Sequence, residues 1–593
     1  VLEEKILPHD GTLRIPVGPL EAPYQPELVS RLLSLEESLV GEVAARTAGN
    51  PLFAVQLVGD WVEREILEPG DGGFRLKEGV DLDLPANLQE MWEDRIEALL
   101  VDRPEAEISS LELAAVLGHE VSTDEWRAVS EITGHRPELG LVHEMIDRRL
   151  AISHEGGPHV GWSFAHGMLR EVIELRARAE GRFEHHHRAC AEVLTSAEGP
   201  GISARLGRHL LMGGLEEQAL GPLLAGAREH FSGGDNWEAG AIVRDVSRLI
   251  DRLSLPRDDP RHAQTVLLSA QLARRRGDLE EALSLAREME TATEDSPLQS
   301  ERCDVLLLMG HVLMDLGRLD NALVNLRSSL ALAEDLGDLE RTVHVRSQLL
   351  YVLTSAARLE EAEAMGQRAL KDAELLGDPA TLAWVLRLSC RLQIAAGDLD
   401  RAADYIARAE APVMESGDRF AVATRLNTLG ELHRLRDDVE SAEAIYREAM
   451  TRYEALGAGS VIFPEINLGL LLAQRGAYAE AMVYLERVLR RSLNSGQRPL
   501  EAGARSWLSV CAAGRQEWSR CDDQLERSDE LLQETGYVDS DMARAFFLVG
   551  HLAGVAGQIL TAREAYQLSI DQWVALGRHG DAEPVQERLR ALG

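Results

Sequence analysis

Over residues 259–593 apolar positions recur at helical spacing, in runs of several turns cut by short polar breaks. One break keeps returning. GDLEEAL begins at Gly277, GRLDNAL at Gly317, ARLEEAE at Ala357, GDLDRAA at Gly397, DDVESAE at Asp437, GAYAEAM at Gly476, QEWSRCD at Gln516 and GQILTAR at Gly557. The period is about 40 residues. A second series keeps step with it: Gly337, Gly377, Gly417, Gly457, Gly496, Gly536 and Gly577. The pattern predicts two helices per period, each about 25 Å long at 1.5 Å per residue.

The contacts inside each hairpin are also written in the pattern. Shortly after each marker of the first series sits a small side chain: Ala282, Ala322, Ala362, Ala402, Ala442, Ala481, Cys521 and Ala562. In the preceding helix lies a second, usually small one: Ala270, Gly310, Cys390, Gly430, Gly469, Ser509 and Gly550, with Leu350 departing from the rule. One turn after the alanine there is often a large one, such as Leu326, Ile406, Tyr446, Leu485, Leu525 and Tyr566. Small residues let two helices approach, and the large one fills the adjoining hole. These motifs resemble the tetratricopeptide repeat in a long form. The resemblance implies a right-handed superhelical solenoid with a concave face, about eight repeats over 259–593. GGLEEQAL from Gly213 and GGDNWEAG from Gly233 look like degenerate hairpins, placed in a segment 201–258.

Upstream the pattern changes. LRIPVGPL (Leu13–Leu20) looks like a last buried strand leaving a domain at 1–20. Two helices joined at Gly49-Asn50-Pro51 follow, then a hairpin tip in GDGGFRL (Gly70–Leu76), within a helical lid at 21–105. In 106–200, helices Leu111–Leu117 and Leu141–Leu150 precede a strand, a glycine-rich turn, a second strand and a helix. That order is a winged-helix arrangement. The expected class is therefore mainly all-α: helical lid, winged-helix arm, then α-solenoid.

GNPLF (Gly49–Phe53), LPANLQEMWEDRIEALL (Leu84–Leu100), LELAAVLG (Leu111–Gly118), FAHGMLREVI (Phe164–Ile173) and HRACAEVL (His187–Leu194), in this order and followed by the repeats, resemble the arm of STAND-type signalling ATPases, which are AAA-related NTPases. The resemblance implies that Gly49 and Pro51 form a lid turn beside a nucleotide, with the proline on the adenine. It implies that His166 reaches the phosphates in the resting state, although Phe164-Ala165-His166 differs from the family's Met-His-Asp form. Pro51 reads equally as a first-turn helix residue, and His166 as an inter-domain hydrogen-bonding group. ATP or ADP is thus a cofactor expected of the intact protein, and none is assured for this chain. A phosphate loop needs G-x-x-x-x-G-K-[ST]. The three lysines, Lys5, Lys77 and Lys371, follow no glycine and precede no Ser or Thr. The chain is therefore expected not to hydrolyse ATP. Because it begins at Val1, a truncated bacterial parent is expected, with a nucleotide-binding domain and an effector upstream. A Ser/Thr kinase is the first expectation for that effector, and a nucleotide cyclase the second.

Composition narrows the partners. The 593 residues carry 99 Asp and Glu against 62 Lys and Arg, a net charge of −37. Such a surface repels phosphate backbones and anionic lipid, so nucleic acid and membranes are not expected partners. No apolar run is long enough to span a bilayer. The five cysteines show no CxxC spacing, which fits packed thiols in a reducing, cytoplasmic setting. His185-His186-His187 are consecutive helical residues that point apart, so no metal site is expected there. No pattern implies acid–base or nucleophilic catalysis, and no catalytic residue is assigned. Around the winged-helix segment Leu141–Leu150 the only cations are Arg148 and Arg149, amid Glu144 and Asp147, which favours an inter-domain role over DNA.

In tetratricopeptide repeats the first helix of each hairpin lines the groove. On that resemblance the inward positions include His344, Ser347, Tyr351, Trp384, Arg387, Arg391, Thr424, Asn427, Glu431 and Arg434. They form an aromatic and cationic strip in an acidic chain. The expected partner is a protein or peptide in that groove, coupled to the chain's own upstream nucleotide domain. A solvated wall remains the alternative for the strip. For the whole chain the alternatives are a plain interaction scaffold and a transcription regulator.

Overall fold

Just past the first helix of each hairpin the backbone enters the left-handed region, and this geometry explains the first marker series. Gly277, Gly317, Gly397, Gly476 and Gly557 all have positive φ, and so do the non-glycine members Ala357, Asp437 and Gln516. A left-handed residue closes a helix by turning the next amides back onto its last carbonyls. The conformation is therefore retained even where a side chain disfavours it.

The computed structural model describes residues 18–21, 24–63, 66–70, 73–77, 88–137, 139–154, 160–294, 296–456 and 461–592. Contacts divide the chain into two units, at 223/224. The first unit begins with α1 (Gln25–Leu32), α2 (Glu37–Thr47), α3 (Pro51–Glu63), the strands β1 (Leu67–Gly70) and β2 (Gly73–Leu76), and α4 (Leu88–Leu100). It continues with α5 (Glu105–Leu117), β3 (Glu120–Ser122), α6 (Thr123–Ile132), α7 (Leu139–Asp147), β4 (Ala151–His154), β5 (Gly161–Phe164), α8 (Gly167–Ala179), α9 (Phe183–Thr195) and α10 (Ile202–Met212). β1 and β2 form an antiparallel hairpin. β3, β5 and β4 form a sheet in that order, with Val121 opposite Trp162 and Ala151 opposite Phe164. One apolar core runs from Val29 to Cys190 and includes Trp61, Trp92, Trp126 and Phe164. The strand expected at Leu13–Leu20 lies outside the described residues, apart from Gly18–Leu20, which are not in a strand.

After α11 (Glu216–Ser232) and α12 (Asn236–Leu253), hairpins follow one another. They are α13 (Pro260–Arg276) with α14 (Leu279–Thr293), α15 (Gln299–Asp315) with α16 (Leu319–Asp335), and α17 (Leu339–Ser355) with α18 (Leu359–Leu376). In the next, α19 (Pro379–Ala396) pairs with a second helix split into α20 (Leu399–Arg408) and α21 (Glu410–Ser416). Pro412 lacks the amide that would bond Arg408, so the helix breaks at Ala409. Then come α22 (Arg419–Leu435) with α23 (Val439–Ala455), α24 (Ile462–Gln474) with α25 (Tyr478–Ser495), α26 (Arg498–Gly514) with α27 (Trp518–Thr535), α28 (Ser540–Val555) with α29 (Ile559–Ala575), and a closing α30 (His579–Ala591). The unit is an all-α solenoid.

The small–large pairing holds. A methyl group on Gly430 would lie 2.7 Å from Cε1 of Tyr446, on Gly469 2.8 Å from Leu485, and on Gly550 2.5 Å from Tyr566. Each glycine is thus the hole its large partner fills. First helices of neighbouring hairpins touch each other along the array, α13 on α15 through α26 on α28, whereas second helices meet more sparsely. That asymmetry curves the array, with the first helices on the inside.

The curvature brings distant turns together. A methyl group on Gly277, between α13 and α14, would lie 2.5 Å from the Cα of Ser495 at the end of α25. Gly317 packs in the same way against Thr535 at the end of α27.

Candidate functional site

In the first unit the Gly-Asn-Pro corner is a backbone crossing. α2 ends at Ala48 in the left-handed region, and Gly49 follows with φ +78°. Leu20 N donates to Gly49 O at 2.7 Å, and Gln25 Nε2 donates to Leu20 O at 2.6 Å. A methyl group on Gly49 would fall 2.5 Å from Leu20 O, so both φ and space demand glycine. Asn50 caps α3, its Oδ1 accepting from Phe53 N at 3.2 Å. Pro51 is the first residue of that helix, where a missing amide is tolerated, and it is exposed.

His166 is the N-cap of α8. Its Nδ1 accepts from Met168 N at 3.2 Å, and its ring stacks on Trp92 of α4 at 5.9 Å and 19°. With Nδ1 accepting, the neutral ring carries its proton on Nε2, and that donor has no hydrogen-bond partner among the described residues. Arg95 lies 5.4 Å from the Trp92 ring centre and donates to Gln56 of α3 at 3.0 Å and to Arg148 O at 3.3 Å. This chain of contacts links α3, carrying the corner, to α4 and so to His166. Arg148 is also bridged to Glu144 of α7 at 2.5 Å.

The three histidines point apart. His185 is exposed, His186 meets Glu112 at 3.0 Å, and His187 meets His209, Nδ1 to Nδ1, at 2.9 Å. Glu112 was not legible as special in the sequence. It is fully buried and takes two bonds of 2.8 Å from Arg182. Burial alone would raise its pKa, but the bonds from Arg182 and His186 outweigh that and hold it below the usual range. Burial lowers His187 to about 3 and His209 to about 4.

In the solenoid the predicted strip is brought together on the first helices, with unequal roles. His344 is exposed and meets the ring of His311 edge-on at 6.2 Å. The Arg391 guanidinium lies 5.4 Å from the ring centre of Tyr351, and Arg387 lies 4.3 Å from that of Trp384. Burial pushes Arg387 down to about 10, and its neighbour Arg391 adds to the effect. Burial also opposes the charge on Arg391, but attraction from Tyr351 and Glu431 prevails and raises it. Burial raises Glu431 against the pull of Arg391.

Four residues depart from the expectation. Ser347 is fully buried and donates within its own helix to Val343 O at 2.7 Å. Thr424 hydrogen-bonds the Tyr453 hydroxyl of its own hairpin at 2.8 Å. Asn427 is 9% exposed and accepts from Asn467 Nδ2 at 3.1 Å, so it joins adjacent hairpins. Arg434 is 4% exposed and holds Asp541 with two bonds of 2.9 and 2.6 Å, across 107 residues of sequence. Both bonds come from its terminal nitrogens, and its Nε is buried without an acceptor. Sequence reasoning missed Tyr537, Asp539 and Asp541, whose fields reach Arg391 and Arg434. Their place at the start of a late first helix was the available signal.

Among known proteins, a tetratricopeptide-repeat family model matches residues 422–456 and 466–493. No curated protein matches the sequence. The chain is similar to a solved Signal Transduction ATPase with Numerous Domains protein with a tetratricopeptide repeat sensor from Pyrococcus horikoshii, at 13% identity and TM-score 0.49, over 89% of this chain and 75% of that one. It is also similar to the Rap protein complexed with competence and sporulation factor, at 10% identity and TM-score 0.44, over 63% and 98%. The third is NprR in complex with its cognate peptide NprX, at 12% identity and TM-score 0.42, over 59% and 97%. Among the described residues no helix is long and apolar enough to cross a membrane, and no group of three or more His, Cys, Asp or Glu side chains is placed to hold a metal ion.

Proposed function

We propose that the solenoid binds a protein or peptide in its concave groove, and that this binding acts through the N-terminal arm on a nucleotide switch outside this chain. The carrying observation is the groove wall itself. Stacked first helices present Tyr351, Trp384, Arg387 and Arg391 on one strip of an acidic protein. Aromatic and arginine side chains dominate binding hot spots because they combine large contact area with directional donors. On this reading the chain is the sensor of a STAND-type ATPase, and the hydrolytic centre lies elsewhere. The strand–helix order in 106–200 supports a winged-helix arm. The exposed Pro51 and the unbonded Nε2 of His166 suit contacts to a nucleotide held by an adjoining domain.

The test has two parts. Peptides selected from a displayed library against the full chain should lose binding on Trp384→Ala or Tyr351→Ala. Selected peptides indifferent to both would refute the groove. In the full-length gene product, Pro51→Ala and His166→Asn should speed ADP release. Asparagine still caps the helix, so an effect of His166→Asn reports the lost ring. Wild-type release rates in both variants would refute the nucleotide role. The scaffold reading has its own support, since the cap on α8 and the stack on Trp92 already account for His166 without a nucleotide.

A further inference from the structure

We infer that the line where successive coils of the solenoid touch is a clasp, and that it parts to admit a protein or peptide to the concave side. The inference rests on the groove reading above. The first three turns between a first and a second helix meet the chain again five hairpins later. Gly277 sits on Asn494 and Ser495 at the end of α25, and a methyl group on Gly496 would lie 3.5 Å from Cδ1 of Leu279. Gly317 sits on Thr535 at the end of α27. Ala357 packs on the apolar cluster that holds Trp573 and Val585 of α29 and α30. In the fourth turn, a methyl group on Gly397 would lie 3.4 Å from Cζ of Arg578, the residue that precedes α30. The contact belongs to the overlap of coils and not to the turns themselves. A methyl group on Gly557, in the last turn of the same series, would meet nothing within 4 Å, and neither would one on Gly337, Gly377 or Gly417.

The clasp is built to be weak. At its first two points the facing residues are Gly277, Gly317, Ser495 and Thr535, which bury little apolar surface, and stabilisation follows apolar area. Among the described residues no backbone hydrogen bond crosses these turn contacts. Within a hairpin, by contrast, Tyr446 seats on Gly430 and Tyr566 on Gly550. The coils can therefore separate through small rotations at many interfaces while every hairpin stays intact. Closed, the clasp encloses the first helices, and Arg434 of α22 already bonds Asp541 at the start of α28. His344 of α17 is exposed, yet burial lowers its pKa against the pull of Asp304 and Glu340. Such a ring touches water and is still surrounded by protein, as on the inside of a closed coil.

The experiment uses the full chain with His344→Cys as a reporter of access, since the five native cysteines are buried. The reporter is labelled with a small maleimide and, separately, with a polymer-linked maleimide of protein size. In the otherwise native chain the small reagent should react fast and the bulky one slowly. Gly317→Asn is the wedge. Asparagine accepts the left-handed backbone of Gly317, at φ +75°, but its side chain must push Thr535 away. Thr535 cannot yield locally, because it is buried and donates to Leu531 O at 2.7 Å. The wedge should speed bulky labelling by about tenfold or more, the shift in equilibrium that overpacking of this kind produces. It should also lengthen the distance between spin labels on Asp278→Cys and Asn494→Cys, at the first contact. Gly557→Asn makes the same change at φ +76° in open space and should alter neither. Equal rates for the two reagents without the wedge, or bulky labelling unmoved by it, would overturn the clasp. Selected peptides that associate with the Gly317→Asn chain no faster than with wild type would also refute it and leave the groove reading standing. Labelling gated by the wedge, with no peptide ever selected, would support the clasp as the barrier to the concave side and remove the groove reading.

Discussion

Breaking the Arg434–Asp541 pair should loosen two helices that are far apart in sequence. The guanidinium side chain is 1% exposed and the carboxylate 16%. Removing one partner of a buried pair leaves the other charged and unsatisfied, at about 3–5 kcal/mol. Two features reduce that figure here. Asp541 keeps some water, and Glu431 already attracts Arg434 and can replace part of the lost field. Asp541→Ala should therefore cost about 2–4 kcal/mol. Arg434→Met should cost less, because it keeps the aliphatic stem and Asp541 can rehydrate. With both replaced, as Arg434→Met and Asp541→Leu, no charge is stranded, and the double variant should lie within about 1 kcal/mol of wild type. Repeat arrays do not unfold in one step, so a global midpoint is a blunt readout. The sharper assay is native-state hydrogen exchange on α22 and α28, with urea unfolding by circular dichroism as a second measure. Exchange should rise in both helices together when Asp541 alone is replaced, and return in the double variant. An Asp541→Ala cost below about 1 kcal/mol, or a double variant equal to the sum of the singles, would show that packing alone closes the solenoid here.

Gly430→Ala should destabilise α22 against α23, because the added methyl meets the immobile ring of Tyr446 at 2.7 Å. Overpacking of about 1–3 kcal/mol exceeds a helix-propensity gain of about 1 kcal/mol, and thermal melting that rises instead would refute the packing account. The buried His187–His209 pair should make the first unit acid-labile. Both rings are neutral in the fold, lowered to about 3 and about 4, and titrate near 6.5 when unfolded. The unfolded chain then binds more protons, so stability falls as pH drops below about 6.5 and keeps falling towards 4, by up to about 1.4 kcal/mol per pH unit for each ring. His209→Gln should flatten this slope in urea midpoints compared between pH 7 and pH 5, and an unchanged slope would remove the pair as its cause.

What the sequence by itself determined is local. The alternation of helix and turn, the left-handed positions and the Gly430–Tyr446 kind of pairing depend on residues within one hairpin. There, helical geometry fixes which side chains meet. The sequence also placed Arg387, Arg391, Trp384 and Tyr351 on first helices, where Arg387 lies against Trp384 and Arg391 near Tyr351. It marked Gly49-Asn50-Pro51 as the joint between two helices. It did not say that Leu20 crosses Gly49, or that Trp92 receives the ring of His166. Nor did it separate Arg434, which is ion-paired with Asp541, from Arg387 and Arg391, which make no ion pair among the described residues. Those distinctions turn on contacts such as Arg434 with Asp541 and Gly277 with Ser495, which exist only after the rotation between hairpins has accumulated along the array. A small rotation per repeat moves a residue several hairpins away by more than the reach of a side chain. Which inward groups find each other is therefore decided by the tertiary structure, through the summed packing of many small interfaces that no single repeat encodes.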